Sequence, residues 1–180
     1  MAPGVATGST RHAQIVQDLC GGLRSIMSTI RRRLLEKLIN FYPPLWGAGI
    51  RSRSLDQSTV EVEMKLTILN RNIVGVHFGG SLYAMCDPWF MLILMRMLGK
   101  DYIVWDKAAS IQFRRPGQGT VKARFHIPAE RVEQIRIDAD NHYKTEPAFS
   151  VDVVDQDGQV IATVEKLLYV RRKLRTDLPS

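Results

Sequence analysis

The feature that most constrains this chain is Leu82–Leu98, an almost unbroken apolar run that holds one acid, Asp87, with Pro88 directly behind it. Read as a helix from about Gly79 to Leu98, it is hydrophobic nearly all round, so it must be enclosed rather than laid on a surface. A membrane span is the first alternative to weigh. The run sits at the short limit for crossing a bilayer, an acid at mid-membrane costs roughly 2.5–3.5 kcal/mol, and Gly99-Lys100-Asp101 follows at once. The run therefore reads as a core helix, and the chain as one without a transmembrane segment.

What surrounds that helix alternates with period two. Val60, Val62, Met64 and Leu66 interleave with Glu61, Glu63 and Lys65, a half-buried strand with a solvated outer face, and Ile50–Leu55 is its partner across an Asp56-Gln57-Ser58 turn. After the helix come Ala109, Ile111 and Phe113, then Val121, Ala123, Phe125 and Ile127, joined through Arg115-Pro116-Gly117-Gln118-Gly119. Pro128–Ile135 reads as a short helix with proline in its first turn. Phe149, Val151 and Val153 form another alternating face, and Asp157-Gly158 turns the chain into a last strand, Val160–Val170. A sheet that receives an all-round apolar helix has to curl about it. The expected fold is α+β of the hotdog type, an antiparallel sheet wrapped around a long buried helix; a two-layer sandwich is the alternative.

Ahead of this domain, His12–Asn40 has an apolar stripe at Ile15, Leu19, Leu23, Ile26, Ile30, Leu34 and Leu38, stopped by Pro43-Pro44. The organisation expected is a disordered start (1–10), an N-terminal helical extension (11–46), the hotdog domain (47–172) and a tail (173–180). The net charge of +7 admits an anionic partner, but the basic clusters at 31–33, 114–115 and 171–175 carry no pattern of nucleic-acid recognition, and a solvated basic surface is the simpler reading. Cys20 and Cys86 sit in apolar runs with no metal-type spacing. Reduced thiols, a cytoplasmic location and no metal are expected.

The run Asn72-Ile-Val-Gly-Val-His77-Phe-Gly79-Gly80-Ser-Leu-Tyr-Ala-Met-Cys-Asp87 resembles the loop-to-helix signature of hotdog thioesterases related to the phenylacetate-pathway enzymes. There an Asn precedes His-Gly-Gly, and an acid follows on the helix eight positions after the first glycine; Gly79 and Asp87 keep that spacing. Val104-Trp-Asp-Lys-Ala-Ala109 and Phe113-Arg-Arg-Pro-Gly117 resemble a thioesterase-like branch of the same superfamily. The histidine departs by one position, with Phe78 before the glycines, and Pro88 after the acid is a second departure. The resemblance implies acyl-coenzyme A substrates and a homodimer or homotetramer with sites shared between subunits. Coenzyme A enters as part of the substrate, and no separate cofactor is implied.

Thioester hydrolysis needs a carboxylate, acting as general base or nucleophile, and donors for the oxyanion. Asp87 is the only acid on the buried helix. The unpaired first amides of that helix, at Gly79 and Gly80, are the candidate oxyanion hole, since glycine admits a close substrate. Gly80, Ala84, Asp87 and Met91 share one stripe at 100° per residue, a path for substrate that Tyr83 borders. His77 and Asn72 are candidates for orienting substrate or water, and Arg114 and Arg115 for the phosphates of coenzyme A. Each has a plainer alternative: a packing stripe, a loop histidine, a turn asparagine, an exposed hairpin end. Two functions stay open, an acyl-thioester hydrolase and a hotdog protein that binds acyl groups without turnover. A hotdog dehydratase fits less well, because the spacing from His77 to an acid is wrong.

Overall fold

The structure, a computed structural model, describes residues 38–174, and the fold lies within the unit Ile39–Ser180. The expected disordered start, most of the N-terminal helix, Cys20, Arg31–Arg33 and the end of the tail lie outside the described residues.

The elements run α1 (Pro43–Gly47), β1 (Ile50–Ser54), β2 (Thr59–Lys65), α2 (Gly79–Ala84), α3 (Trp89–Leu98), β3 (Tyr102–Phe113), β4 (Thr120–His126), α4 (Ala129–Asn141), β5 (Lys144–Thr145), β6 (Ala148–Val154) and β7 (Val160–Arg172). Six strands form an antiparallel sheet in the order β1-β2-β4-β6-β7-β3, with β5 paired to β7. The fold is α+β, with the helical segment 79–98 at the centre of the sheet's inner face. That segment is the one apolar stretch of membrane-spanning length among the described residues.

The inner face follows the alternation in the sequence. Val60, Val62 and Met64, then Val121, Ala123, Phe125 and Ile127, then Val151 and Val153 are buried, while their in-between neighbours are more exposed. Phe90 packs edge-on to Phe125 at 5.1 Å and stacks on Phe149 at 4.9 Å, so α3 is keyed into the sheet by aromatic contacts. Arg136 of α4 donates to the carbonyls of Leu98 and Met97 (3.3 and 3.2 Å), supplying partners for the orphan acceptors at the end of α3.

Three expectations are corrected. The central helix is not continuous: α2 stops at Ala84, and residues 85–88 form a turn before Trp89 resumes. Pro88 has no amide to donate, and the Asp87 amide reaches back only to Ala84, at 3.4 Å. The helix after Pro128 runs on to Asn141. Finally, Ala109 and Phe113 are exposed although their strand alternates. A register shift between Asp106 and Ala108 changes the phase of β3, so that Ala109 and Phe113 pair with the buried Lys166 and Ala162 of β7, but β3 is the last strand in the sheet order.

Candidate functional site

The helical break places Asp87 where α2 ends, with its side chain 46% exposed. Its Oδ1 accepts from the Tyr83 hydroxyl at 2.8 Å and from the Lys166 ammonium at 2.9 Å. Its Oδ2 has no hydrogen bond among the described residues. Tyr83 reaches Asp87 because residues four apart share a helix face. Trp89 locks the turn from the other side, its indole N–H donating to the Met85 carbonyl at 2.6 Å.

Lys166 was not among the residues singled out from the sequence. It stands on β7 in phase with Val164, Leu168 and Val170, so it points into the core, where its side chain is 0% exposed. A second carboxylate holds it: Asp106 Oδ2 lies 3.0 Å from the ammonium. Asp106 pairs with Leu168 across β3–β7, one same-face position from Lys166, and is in turn in phase with buried Val104. Burial alone would push the lysine pKa down, but hydrogen bonds and attraction from Asp87 and Asp106 outweigh it and hold the ammonium above its ordinary value. Burial raises Asp106, with Asp87 adding to the rise against the opposing pull of Lys166. Tyr83 is likewise raised, by burial and then by its bond to Asp87. Two signals in the sequence pointed here: a lysine and an aspartate, each in step with an apolar strand face.

The other candidates fall into separate groups. His77 is 3% exposed, with Nε2 3.1 Å from the Gly119 carbonyl and its amide donating to Gly117 at 3.0 Å. It ties the loop before α2 to the β3–β4 loop. Burial pushes its pKa down, against the Gly119 contact. Asn72 folds its own loop, its Oδ1 accepting from the Val74 and Val76 amides (both 3.1 Å). The neighbouring Asn70 is the buried anchor, accepting from Thr67 and donating to Ala48 and Lys65, each at 2.8 Å. No hydrogen bond joins His77 or Asn72 to Asp87.

The amides of Gly79 and Gly80 have no backbone acceptor among the described residues. The space beside these glycines is already taken. A Cβ on Gly79 would come within 2.8 Å of the Phe113 ring, and one on Gly80 would meet the Phe78 ring. Ala84 and Met91 are half-buried, packed against the core, while the bulky neighbours Trp89 and Phe90 lie within it. Cys86 is fully buried, its thiol pushed up to about 12 chiefly by burial, so it stays protonated and inert. Arg114 and Arg115 hold the end of β3 by donating to the Ile161 carbonyl (2.8 and 3.2 Å). Their side chains line an open cleft of about 460 Å³ with Asp152, Gln159 and Thr163.

The family described as a domain of unknown function (DUF4442) matches residues 31–170. Solved structures share the hotdog fold. A protein of unknown function from Pseudomonas aeruginosa, described as a probable thioesterase, superposes with a TM-score of 0.71 at 24% identity, over 79% of this chain and 96% of that one. A thioesterase from Haemophilus influenzae gives 0.58 at 17% identity, over 78% and 90%. A protein of the phenylacetic acid degradation operon of E. coli gives 0.52 at 17%, over 77% and 89%. No curated protein matches the chain.

Proposed function

The chain belongs to the DUF4442 family, and we propose that it uses its hotdog fold to hydrolyse an acyl thioester, with Asp87 as general base. The observation that carries this reading is the division of labour within one carboxylate. Oδ1 is fixed by Tyr83 and Lys166, while Oδ2, on a half-exposed side chain, has no partner among the described residues. An anchored carboxylate with one open oxygen can take a proton from water as that water attacks a thioester carbonyl. When the tetrahedral intermediate collapses, the carbon–sulfur bond breaks and the departing thiolate recovers the proton.

The donors proposed for the oxyanion are the free amides of Gly79 and Gly80. At 1.5 Å per residue, Gly80 lies about 6 Å from the end of α2 at Ala84, and Asp87 stands beyond it in the turn that follows. That is too far for both to serve one carbonyl carbon, since each must approach it within a few ångströms. A working site would therefore pair the helix start of one copy with Asp87 of another, in keeping with the shared-site homodimer or homotetramer implied by the resemblance. Phe78 and Phe113, both largely exposed, would have to turn aside to admit an acyl group. Arg114 and Arg115 are assigned to the phosphates of a coenzyme A carrier, and His77 and Asn72 to shaping the loop that leads into α2. A cytoplasmic location suits such a substrate.

The second reading is a protein that binds acyl-coenzyme A without hydrolysing it. It is favoured by the ion pair that already occupies Asp87. The two separate on a panel of short, long and aryl acyl-coenzyme A thioesters, followed by free-thiol release and by calorimetric binding. Turnover on at least one thioester supports the hydrolase. Binding with no turnover on any of them supports the second reading.

A further inference from the structure

Residues 67–78, between β2 and α2, form a loop that is tied down along its length and still holds apolar side chains in water. Asn70, buried, accepts from the Thr67 amide and donates to the Ala48 and Lys65 carbonyls. Asn72 accepts from the Val74 and Val76 amides, Arg71 and His77 form a β-bridge, and the Phe78 amide closes on the Asn70 carbonyl at 2.8 Å. Gly75 turns the chain at a φ of 89°, which glycine adopts without strain. At the tip, Ile73 is 103% exposed and Val74 76%; at the base, Ile68 and Leu69 are each 78%. With its backbone fixed in this way, the loop has no ready route to fold those side chains inward.

α1 adds to the same end of the molecule. Leu45 is its buried residue, while Trp46 and the preceding Phe41 and Tyr42 are more than half exposed. The bond from Asn70 to Ala48 joins the loop to the chain leaving α1. The charges along these segments are of one sign. Residues 39–55 and 64–86 contain no Asp or Glu, while Arg51, Lys65 and Arg71 are exposed. Glu63 stands opposite Arg51 across β1–β2, which leaves Lys65 and Arg71 as the cations of the loop and its base.

An aliphatic tip, a border of aromatic rings and basic side chains without acids match the layers of an anionic bilayer surface. Aliphatic groups enter the acyl region, Trp and Tyr rings favour headgroup depth, and Lys and Arg meet the lipid phosphates. A second copy fits this surface less well. A two-fold contact through it would bring Lys65 and Arg71 of one copy toward those of the other. We propose that the 67–78 loop and α1 dock the protein on the surface of an anionic lipid bilayer, with Ile73 and Val74 entering it. The docking stands independently of the hydrolase reading.

The test uses the full chain and vesicles of phosphatidylcholine, alone or mixed with phosphatidylglycerol, and reads binding by cosedimentation. A second readout is quenching of tryptophan emission by brominated lipid in the mixed vesicles. Of the three tryptophans, Trp46 lies in the docking surface, Trp89 is buried, and Trp105 is on β3, at the other edge of the sheet from β1. The native chain should bind the mixed vesicles in preference to phosphatidylcholine alone, and its emission should be quenched. Trp46→Phe should lose most of that quenching. Ile73→Ser with Val74→Ser should weaken binding by about tenfold or more. Lys65→Gln with Arg71→Gln should weaken it by about tenfold, on the mixed vesicles only. All four positions are exposed, so melting temperatures should match the native chain. A native chain that binds neither vesicle, or both equally, overturns the proposal. So does binding undiminished in the Ile73/Val74 variant, or quenching undiminished in Trp46→Phe, since another part of the chain would then make the contact. An Ile73/Val74 variant that sediments as a smaller species than the native chain, with vesicle binding unchanged, would make the surface an interface between copies and overturn the proposal too.

Discussion

Trp89–Leu98 and Gly79–Asp87 are consecutive pieces of one buried helical segment, yet different forces hold them. In the second half, Trp89, Phe90, Ile93, Leu94 and Leu98 are buried against strand side chains, and the energetics are those of packing. In the first half, the helix ends early, and its last turn is secured by Tyr83, Lys166 and the Trp89 indole, through hydrogen bonds and charge. Pro88 marks the boundary. A helix uniform in hydropathy is thus divided into a structural anchor and a polar end, and Asp87 owes its exposure to that division.

The comparison breaks most visibly in the anchor. Phe90→Ala removes a ring that touches both Phe125 and Phe149, and should cost about 3–5 kcal/mol in urea unfolding. A loss under 1 kcal/mol would mean that the aromatic contacts do not hold α3. In the polar half the prediction concerns non-additivity. Asp87→Asn alone should cost about 1 kcal/mol or less, because Lys166 keeps Asp106. Asp87→Asn with Asp106→Asn strands the ammonium and should cost about 3–5 kcal/mol, far more than the sum of the single variants.

A smaller effect comes from the loop that leads into the polar half. Burial holds the His77 pKa below 6.5, so in acid the unfolded chain binds a proton that the folded one does not. The stability present above pH 6.5 should decline as the pH falls through the depressed native value. His77→Gln should flatten that decline in unfolding midpoints taken from pH 7.5 to pH 5; a slope unchanged in the variant would assign it to other groups. The smallest effect is a null result in kinetics: the Cys86 thiol should remain unreactive toward an aromatic disulfide until the protein unfolds.

The anchor was easy to read from sequence and the polar end was not. Apolar runs and period-two strands report burial directly, so Ile93, Leu94, Val121 and Phe125 fall where the pattern places them. Asp87 was visible as the lone acid in an apolar run, and Tyr83 is four residues away. Lys166 and Asp106 were visible only as charged residues in phase with buried neighbours. Their meeting depends on strand order, on the β3–β7 register and on the shift after Asp106. These are long-range facts that no local pattern encodes. The surroundings of the glycines are a related case: Phe113, far along the chain, lies against Gly79, a contact that no local spacing encodes.

The most direct test of the central claim is the turnover of the best acyl-coenzyme A thioester by the native chain and by Asp87→Asn, with melting temperatures measured alongside. If Asp87 is the base, kcat should fall by roughly 10²–10⁴-fold while the melting temperature stays within a few degrees. A variant that hydrolyses the thioester at the native rate would contradict the account.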